Sequence, residues 1–152
     1  MKEGTFLVTN ADEESAVVQD VTDSQVHTLS SNPGLAVGEI LEATLEPEPP
    51  MEVTWQLTEQ VDQRTIPVEQ SEEPPTQLAQ DLAADQPVGE LTTEERAGTG
   101  EVHVLTVPTD QTADAAQEVV DDLETRARAA RLDVARVEVR AADGVVSVRY
   151  LP

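Results

Sequence analysis

Residues 101–151 read EVHVLTVPTDQTADAAQEVVDDLETRARAARLDVARVEVRAADGVVSVRYL, and their pattern predicts a strand, a helix and two further strands. Near the end, Asp143-Gly144 lies between two runs rich in β-branched residues, which is typical of a two-residue hairpin turn. This turn sets the expected cross-strand pairs: Ala141 with Val146, Val139 with Val148, Val137 with Tyr150, Arg140 with Ser147, and Glu138 with Arg149. Apolar pairs fall on one face and polar pairs on the other, so a single register is favoured.

A helix is predicted upstream of this hairpin, because apolar residues recur at spacings of three and four along 116–127. Thr112 or Asp110 is expected to cap its start. The segment 101–108 is expected to be the strand that enters the helix, and the apolar strand 145–151 is placed between the other two. The C-terminal unit is therefore predicted to be βαββ, half of a ferredoxin-like sheet with strand order 1-3-2.

The N-terminal part, residues 1–61, contains five short segments with strand patterns and tight connections. They are GTFLVTN (4–10), SAVVQDV (15–21), QVHTLS (25–30), GEILEATLE (38–46) and MEVTWQLTEQ (51–60). Five such strands predict a small antiparallel β-barrel or sandwich. In the last segment, apolar residues alternate with polar ones from Met51 to Leu57, which predicts that Trp55 lies in the core. The whole chain is thus expected to be an α+β protein with two units.

Residues 62–100 are predicted to connect these units. The first expected element is an extended piece, RTIPVEQ (64–70), that adds a strand or lies along a surface. The second is a short helix in SEEPPTQLAQDLAADQP (71–87), with Leu78 and Leu82 on one stripe. The third is a helical turn begun by a capping box of Thr92 and Glu95. Gly98-Thr99-Gly100 is expected to be a flexible hinge. The predicted domain boundaries are therefore 1–61, 62–100 and 101–152.

The charge of the chain is strongly negative, with 31 acidic residues against nine Lys and Arg and a formal net charge of −22. The acids are dispersed along the chain and do not form a tail. Such a charge repels itself in dilute buffer and is screened within about 3 Å at molar salt, which indicates a salt-rich cytoplasm. The alternative is a surface that mimics nucleic acid or attracts basic partners, but that function predicts acids concentrated on one face.

Several function classes are excluded or disfavoured by composition. There is no cysteine, so disulfides and thiolate metal sites are excluded. The N-terminus lacks the apolar core of a signal peptide and no run is long enough for a membrane span, so a cytoplasmic protein without membrane contact is expected. His27 and His103 are far apart in sequence, and no metal site or cofactor is predicted. No phosphate loop or nucleophile elbow is present, so an enzyme is only the third hypothesis.

The segment LAVGEILEATLE (35–46) resembles a strand pattern of small barrels of the oligonucleotide-binding type. Those barrels stack bases on aromatic side chains within a basic groove. Residues 1–100 instead carry 21 acids, three basic residues and two aromatic residues, Phe6 and Trp55. This composition disfavours nucleic acid as a partner, and weak nucleic-acid or nucleotide binding through the barrel or the C-terminal sheet is kept as the alternative function.

Several strings give the chain a resemblance to a family of uncharacterised proteins from halophilic archaea. They are KEGTFLVT (2–9), PPMEVTW (49–55), RTIPVE (64–69), ADQPVGELT with EERAG (84–98), and EVRAADGVVSVRYLP (138–152). The family is a domain of unknown function, so the resemblance implies a haloarchaeal source and implies no activity, cofactor or functional residue.

One surface is predicted to be the candidate docking face, namely the side of the C-terminal sheet away from its helix. The residues expected there are His103, Leu105, Val107, Arg136, Arg140 and Arg149. This face is half apolar and half basic, so we expect it to be covered by the N-terminal unit, by the connector or by a second copy of the chain. The functional alternative is docking of an acidic partner or a phosphate-bearing ligand. The expected function is a non-enzymatic cytoplasmic binding or adaptor protein of a salt-adapted archaeon.

Overall fold

The computed structural model describes residues 1–95 and 100–152, so most of the predicted hinge, Gly98-Thr99, lies outside the described residues. The chain divides into two compact units, residues 1–66 with 126–131, and residues 67–125 with 132–152. The fold is α+β, as predicted, and most of its elements are strands. The units differ from the expected three segments, because the connector supplies two strands and a helix to the second unit instead of forming a separate linker.

The first unit contains five strands: β1 (Lys2–Ala11), β2 (Ala16–Asp20), β3 (Val26–Leu29), β4 (Glu39–Pro47) and β5 (Trp55–Thr65). The second contains β6 (Val68–Gln70), α1 (Gln77–Ala84), β7 (Leu91–Glu95), β8 (Glu101–Thr106), a 3₁₀ turn (Thr109–Gln111), α2 (Thr112–Asp121), β9 (Arg136–Ala142) and β10 (Val145–Leu151). Helix α3 (Leu123–Arg131) contributes its residues 126–131 to the first unit. No described helix combines the length and apolar character needed to cross a membrane.

The strands of the first unit form a closed barrel in the order β1-β2-β3-β5-β4, so of the two predicted alternatives the barrel is observed and the sandwich is not. Neighbours are antiparallel except β3 and β5, which pair in parallel where Leu29 meets Trp55. The core consists of side chains that alternate along the strands, Phe6, Val8, Ala16, Val18, Leu29, Leu41, Ala43 and Leu45, together with Leu35 from the connection between β3 and β4. The barrel therefore has a continuous apolar interior of its own.

Strand β5 starts four residues later than the sequence pattern indicated. Met51 and Val53 are 77% and 70% exposed, because Pro49 and Pro50 cannot donate to a ladder and Glu52 adopts a positive φ of 56° within a turn. Trp55 is partly buried and packs on the barrel core, as expected. The apolar–polar alternation thus begins in a turn before the strand, and Met51 and Val53 in that turn contribute nothing to the core.

The second unit is a five-stranded sheet in the order β6-β9-β10-β8-β7. All five predicted pairs of the β9–β10 hairpin are observed. Asp143 and Gly144 have φ values of 48° and 84°, as a two-residue turn of this kind requires. The central position of the strand 145–151 between 101–106 and 136–142 is also confirmed.

Residues 67–95 complete this sheet in ways that the sequence indicated only in part. The extended piece adds strand β6, which pairs in parallel with β9. Helix α1 forms where predicted and is capped by the Thr76 hydroxyl, which accepts the Ala79 N–H at 3.2 Å. The capping box predicted at Thr92 and Glu95 is wrong, because these residues lie in β7 and pair with β8. A single helical turn is too short to compete with a ladder on a buried strand.

The predicted long helix is divided at Asp122 into α2 and α3. Asp122 has an extended ψ of 122°, and its carboxylate accepts the Glu124 N–H at 2.9 Å, as an N-cap of α3 does. Neither Thr112 nor Asp110 caps α2, since the capping position is Gln111. The Thr112 hydroxyl instead accepts the Gly144 N–H at 2.9 Å. It therefore ties the start of the helix to the hairpin turn.

Candidate functional site

The two faces of the second sheet are distinguished by the helices that cover them. On one face, Ala79 and Ala83 of α1 pack against Val104. On the other face, Gln117 of α2 accepts a hydrogen bond from Gln70 at 3.0 Å. We call the first of these the α1 face, and the strand registers place on it Thr92, Glu94, Val102, Val104, Thr106, Arg136, Glu138, Arg140, Ala142, Val145, Ser147, Arg149 and Leu151.

The predicted docking face combined residues from both sides of the sheet. Arg136, Arg140 and Arg149 do share the α1 face. His103 pairs with Val148 and therefore lies on the α2 side, as does Leu105, while Val107 lies beyond the end of β8. The error is a shift of one residue in β8, which moves every side chain to the opposite face. No short turn joins β8 to β10, so this register could not be counted from the sequence.

The three arginines of the α1 face surround one carboxylate. Glu138 accepts hydrogen bonds from Arg140 at 2.5 Å and Arg149 at 2.7 Å, and Arg136 approaches it at 3.8 Å. Burial raises the pKa of Glu138, but the hydrogen bonds and charges of Arg140 and Arg149 outweigh it and hold the pKa below the ordinary value of 4.5. The carboxylate is thus stabilised in its charged form.

This arginine cluster is close to electrically neutral. Arg140 also pairs with Glu73 at 2.8 Å, and Glu69 lies beside Glu138 in the register of β6 and β9. The side chains of Arg140 and Arg149 are only 15% and 21% exposed. The structure therefore presents an internally paired network here, and not an open basic surface.

Replacing Glu138 with Gln is expected to destabilise the protein at neutral pH by about 1–2 kcal/mol, between the values of exposed and buried ion pairs. Because the folded pKa lies below 4.5, the contribution of the carboxylate is complete above that pH and is lost as the pH falls through the folded pKa. Urea unfolding at several pH values measures this difference. The matched control is Glu73→Gln, whose side chain is 69% exposed. Equal effects of both changes at neutral pH would contradict the central role of Glu138.

A groove of about 320 Å³ opens on the α1 face between α1 and β7. Its lining consists of Thr76, Leu78, Ala79, Leu82, Glu94, Glu95, Val102, Val104 and Arg149. In one cross-strand row, Val102 lies between Arg149 and Glu94. The groove therefore has an apolar floor, the Arg149 guanidinium at its inner end and the Glu94 carboxylate at its outer rim.

Two features make this groove accessible to a partner. Leu78 stands on its wall and is 62% exposed, although the sequence placed it on the buried stripe of the helix. The buried residues of α1 are instead Ala79 and Ala83. In addition, β7 is an edge of the sheet, so one side of the groove is bounded by a strand that has a neighbour on one side only.

A second cavity of about 470 Å³ lies between α1 and the β9–β10 turn. Most of its lining is small or apolar, for example Ala83, Val107 and Val145. Asp143 is the one ionisable side chain among its lining residues. No pair of ionisable groups converges there, so this cavity offers no arrangement for acid–base chemistry.

Both histidines are buried within strands. His27 lies inside the first unit, with Trp55 edge-on at 4.6 Å between ring centroids and the Lys2 ammonium 3.1 Å from its Nε2. Burial lowers the pKa of His27, and the charge of Lys2 lowers it further. His103 contacts Glu101 at 2.8 Å. Within residues 1–95 and 100–152, no group of three or more His, Asp or Glu is arranged to hold a metal ion.

The sequence singled out Leu78, Leu82 and Arg149 but did not place them in one groove, because a helical turn was expected where β7 lies. The signal that could have found them is the Thr92-Thr93 pair after the turn at Pro87-Val88-Gly89, since β-branched residues after a turn favour a strand. Val102 and Val104 would then have been placed together between β7 and the hairpin.

A family model, described as a family of unknown function (DUF5812), matches residues 2–141. The chain belongs to this family. The resemblance seen in the sequence is thereby confirmed as membership of a family of unknown function. No curated protein and no solved structure matches the chain.

Proposed function

We propose that this member of the family is a non-enzymatic binding or adaptor protein whose groove on the α1 face holds a segment of a partner protein. The observation that carries the proposal is an apolar groove of about 320 Å³ at an open sheet edge. Leu78 and Leu82 form its wall and Val102 and Val104 its floor. A concave apolar surface with a few polar groups at its ends is typical of a binding site.

Protein binding is favoured over nucleic-acid binding because of the charges on the barrel. The five-stranded barrel supports a likeness to oligonucleotide-binding barrels, which use the loops between strands 1 and 2 and between strands 4 and 5. Here the first loop carries Asp12, Glu13 and Glu14, and the second carries Glu48 and Glu52. These acids would repel a phosphate backbone. An enzymatic role is the least favoured proposal, since the larger cavity lacks converging ionisable groups.

We further propose that the protein works in the salt-rich cytoplasm of a halophilic archaeon. The proposal is supported by the net charge of −22, with a single lysine and acids dispersed over both units. The finer fold proposal is that β8, α2, β9 and β10 represent half of a ferredoxin-like sheet, which β6 and β7 extend. It is supported by the strand order β8-β10-β9.

A photo-crosslinking amino acid at Leu78 is expected to capture a specific partner in extract of the source organism at high salt. The matched control places the same amino acid at Val61, which is 70% exposed in the first unit. An excess of unlabelled wild-type protein should compete for the crosslinked partner, whereas the Leu78→Glu variant should not. Mass spectrometry identifies the product. The same products from both positions, or no competition by wild type, would refute binding at the groove.

A further inference from the structure

Resting on the proposed function, we propose that the partner segment binds as an extended strand along β7, with apolar side chains facing the groove and basic side chains on the opposite face, beside Glu95. The occupant is thus a lysine- or arginine-bearing peptide that adds a sixth strand to the sheet. In this mode of recognition, main-chain hydrogen bonds supply affinity and a pocket for alternate side chains supplies specificity.

The free edge of β7 has backbone groups available for such a strand. The Thr106 N–H donates to the Glu90 carbonyl at 3.2 Å, and the Gly89 N–H donates to the Thr106 carbonyl at 2.7 Å. Ladder bonds alternate along an antiparallel pair, so Thr92 and Glu94 direct their backbone groups toward β8. Thr93 therefore directs its N–H and C=O away from the sheet, toward the position of an added strand.

The groove lies where the side chains of an added strand would point. Every second side chain of that strand faces the α1 side of the sheet. A side chain on that face would contact Leu78 of α1. It would also lie next to Glu94, in the cross-strand row that continues to Val102 and Arg149. One apolar side chain in the groove would cover Leu78, which explains why a leucine that is 62% exposed stands at this place.

Charge complementarity selects a basic peptide. Glu90, Glu94 and Glu95 are all exposed along β7 and the turn before it. Within the described part of the chain, no Lys, Arg or His forms an ion pair with any of them. Lysine or arginine that alternates with the apolar residues of the added strand would lie on the face of Glu95, and opposite charges across strands stabilise pairing. An acidic peptide would place like charges there.

A second copy of the chain fits this edge less well than a basic peptide. Antiparallel pairing of β7 with itself about Thr93 would place Glu94 opposite Thr92 and Glu95 opposite Leu91. Within residues 91–95, the described part of this edge, the seam would then hold four glutamates and no basic residue. This part of the chain's own edge therefore lacks the charge that the site requires.

The inference is tested with a fluorescent heptapeptide that alternates lysine with valine, leucine and valine. Its controls are a peptide of the same composition with the lysines grouped, and the alternating peptide with glutamate in place of lysine. We expect the alternating lysine peptide to bind wild type at least about tenfold more tightly than either control. Binding is measured by fluorescence anisotropy at a salt concentration where circular dichroism shows each variant to be folded.

Two variants of one residue test the strand geometry. Thr93→Pro removes the outward N–H and leaves the bonds of Thr92 and Glu94 to β8, and proline is tolerated at such edge positions. It should weaken binding at least about tenfold, whereas Thr93→Val, which keeps the N–H, should not. Hydrogen exchange at Thr93 should slow when the lysine peptide binds wild type.

The outcomes separate this inference from the proposed function. Equal binding by the Thr93→Pro and Thr93→Val variants would overturn strand addition, and equal binding of the grouped-lysine peptide would show non-specific attraction only. Preference for the glutamate peptide would overturn the basic partner. If the crosslink from Leu78 forms and yet no lysine peptide binds at β7, the proposed groove function stands and this inference falls. If the crosslink is also absent, both fall.

Discussion

Lowering KCl from molar to tens of millimolar concentration is expected to unfold much of this protein at ambient temperature. The chain carries an excess of 22 negative charges, and two carboxylates about 10 Å apart repel by about 0.4 kcal/mol in water without salt. At 1 M salt the screening length is about 3 Å, so this repulsion almost disappears. Summed over many pairs, this repulsion at low salt should reduce the free energy of unfolding by several kcal/mol and the melting temperature by about 10 °C or more. Thermal melts in a KCl series measure it.

A charge-reduced variant provides the control for this salt effect. Glu13, Glu14, Glu52 and Glu59 are exposed in the first unit, and replacing all four with Gln should reduce the dependence of its melting temperature on KCl. Sucrose, which strengthens burial without screening charge, should not substitute for KCl. A melting temperature that is the same at low and high KCl would contradict both the repulsion argument and the proposal of salt adaptation.

The β9–β10 hairpin was predictable because its register is set by a local count. Asp143-Gly144 needs a tight turn, and every cross-strand pair then follows from the distance to that turn. The alternation of apolar and polar residues supports the same register independently. Local turn chemistry and side-chain pattern agree here, and such agreement makes a prediction from one sequence dependable.

Strand β8 was not predictable to the same degree, since both of its faces are covered. Val102 and Val104 lie under α1, while His103 lies on the opposite face with Val148. A strand buried on both sides has no polar face, so alternation does not reveal which residues point which way. Its register depends on long-range pairing with β10. For this reason the predicted face included β8 residues from the other side of the sheet, while its three arginines share the α1 face.

The candidate groove depends on two such long-range features. Strand β7 forms because β8 offers a partner, and this overrides a local capping signal at Thr92 and Glu95. Helix α1 buries alanines because a close approach to Val104 leaves little room for larger side chains. Leu78 is thereby turned outward. These outcomes follow from packing between segments, which composition and spacing do not record.

Truncation of Phe6 is expected to have the largest effect of any single core substitution in the barrel. Phe6 is fully buried in β1, where it pairs with Leu41 on one side and Asp20 on the other. Its ring meets His27 edge-on, with centroids 6.1 Å apart. Phe6→Ala should cost about 3–5 kcal/mol, because the lost apolar contacts leave a cavity that a closed barrel cannot collapse to fill. Urea unfolding followed by the fluorescence of Trp55, the single tryptophan, measures the loss in this unit.

Two further variants show whether this loss reflects the cavity. Phe6→Leu keeps most of the volume and should cost about 1–2 kcal/mol. Val61→Ala, at a barrel position that is 70% exposed, should change stability by less than about 0.5 kcal/mol. If the unfolding midpoint of Phe6→Ala moved no further than that of Val61→Ala, Phe6 would not be the packed centre of the barrel. A graded series from Val61→Ala through Phe6→Leu to Phe6→Ala is expected instead, since the cost follows the volume removed from the closed interior.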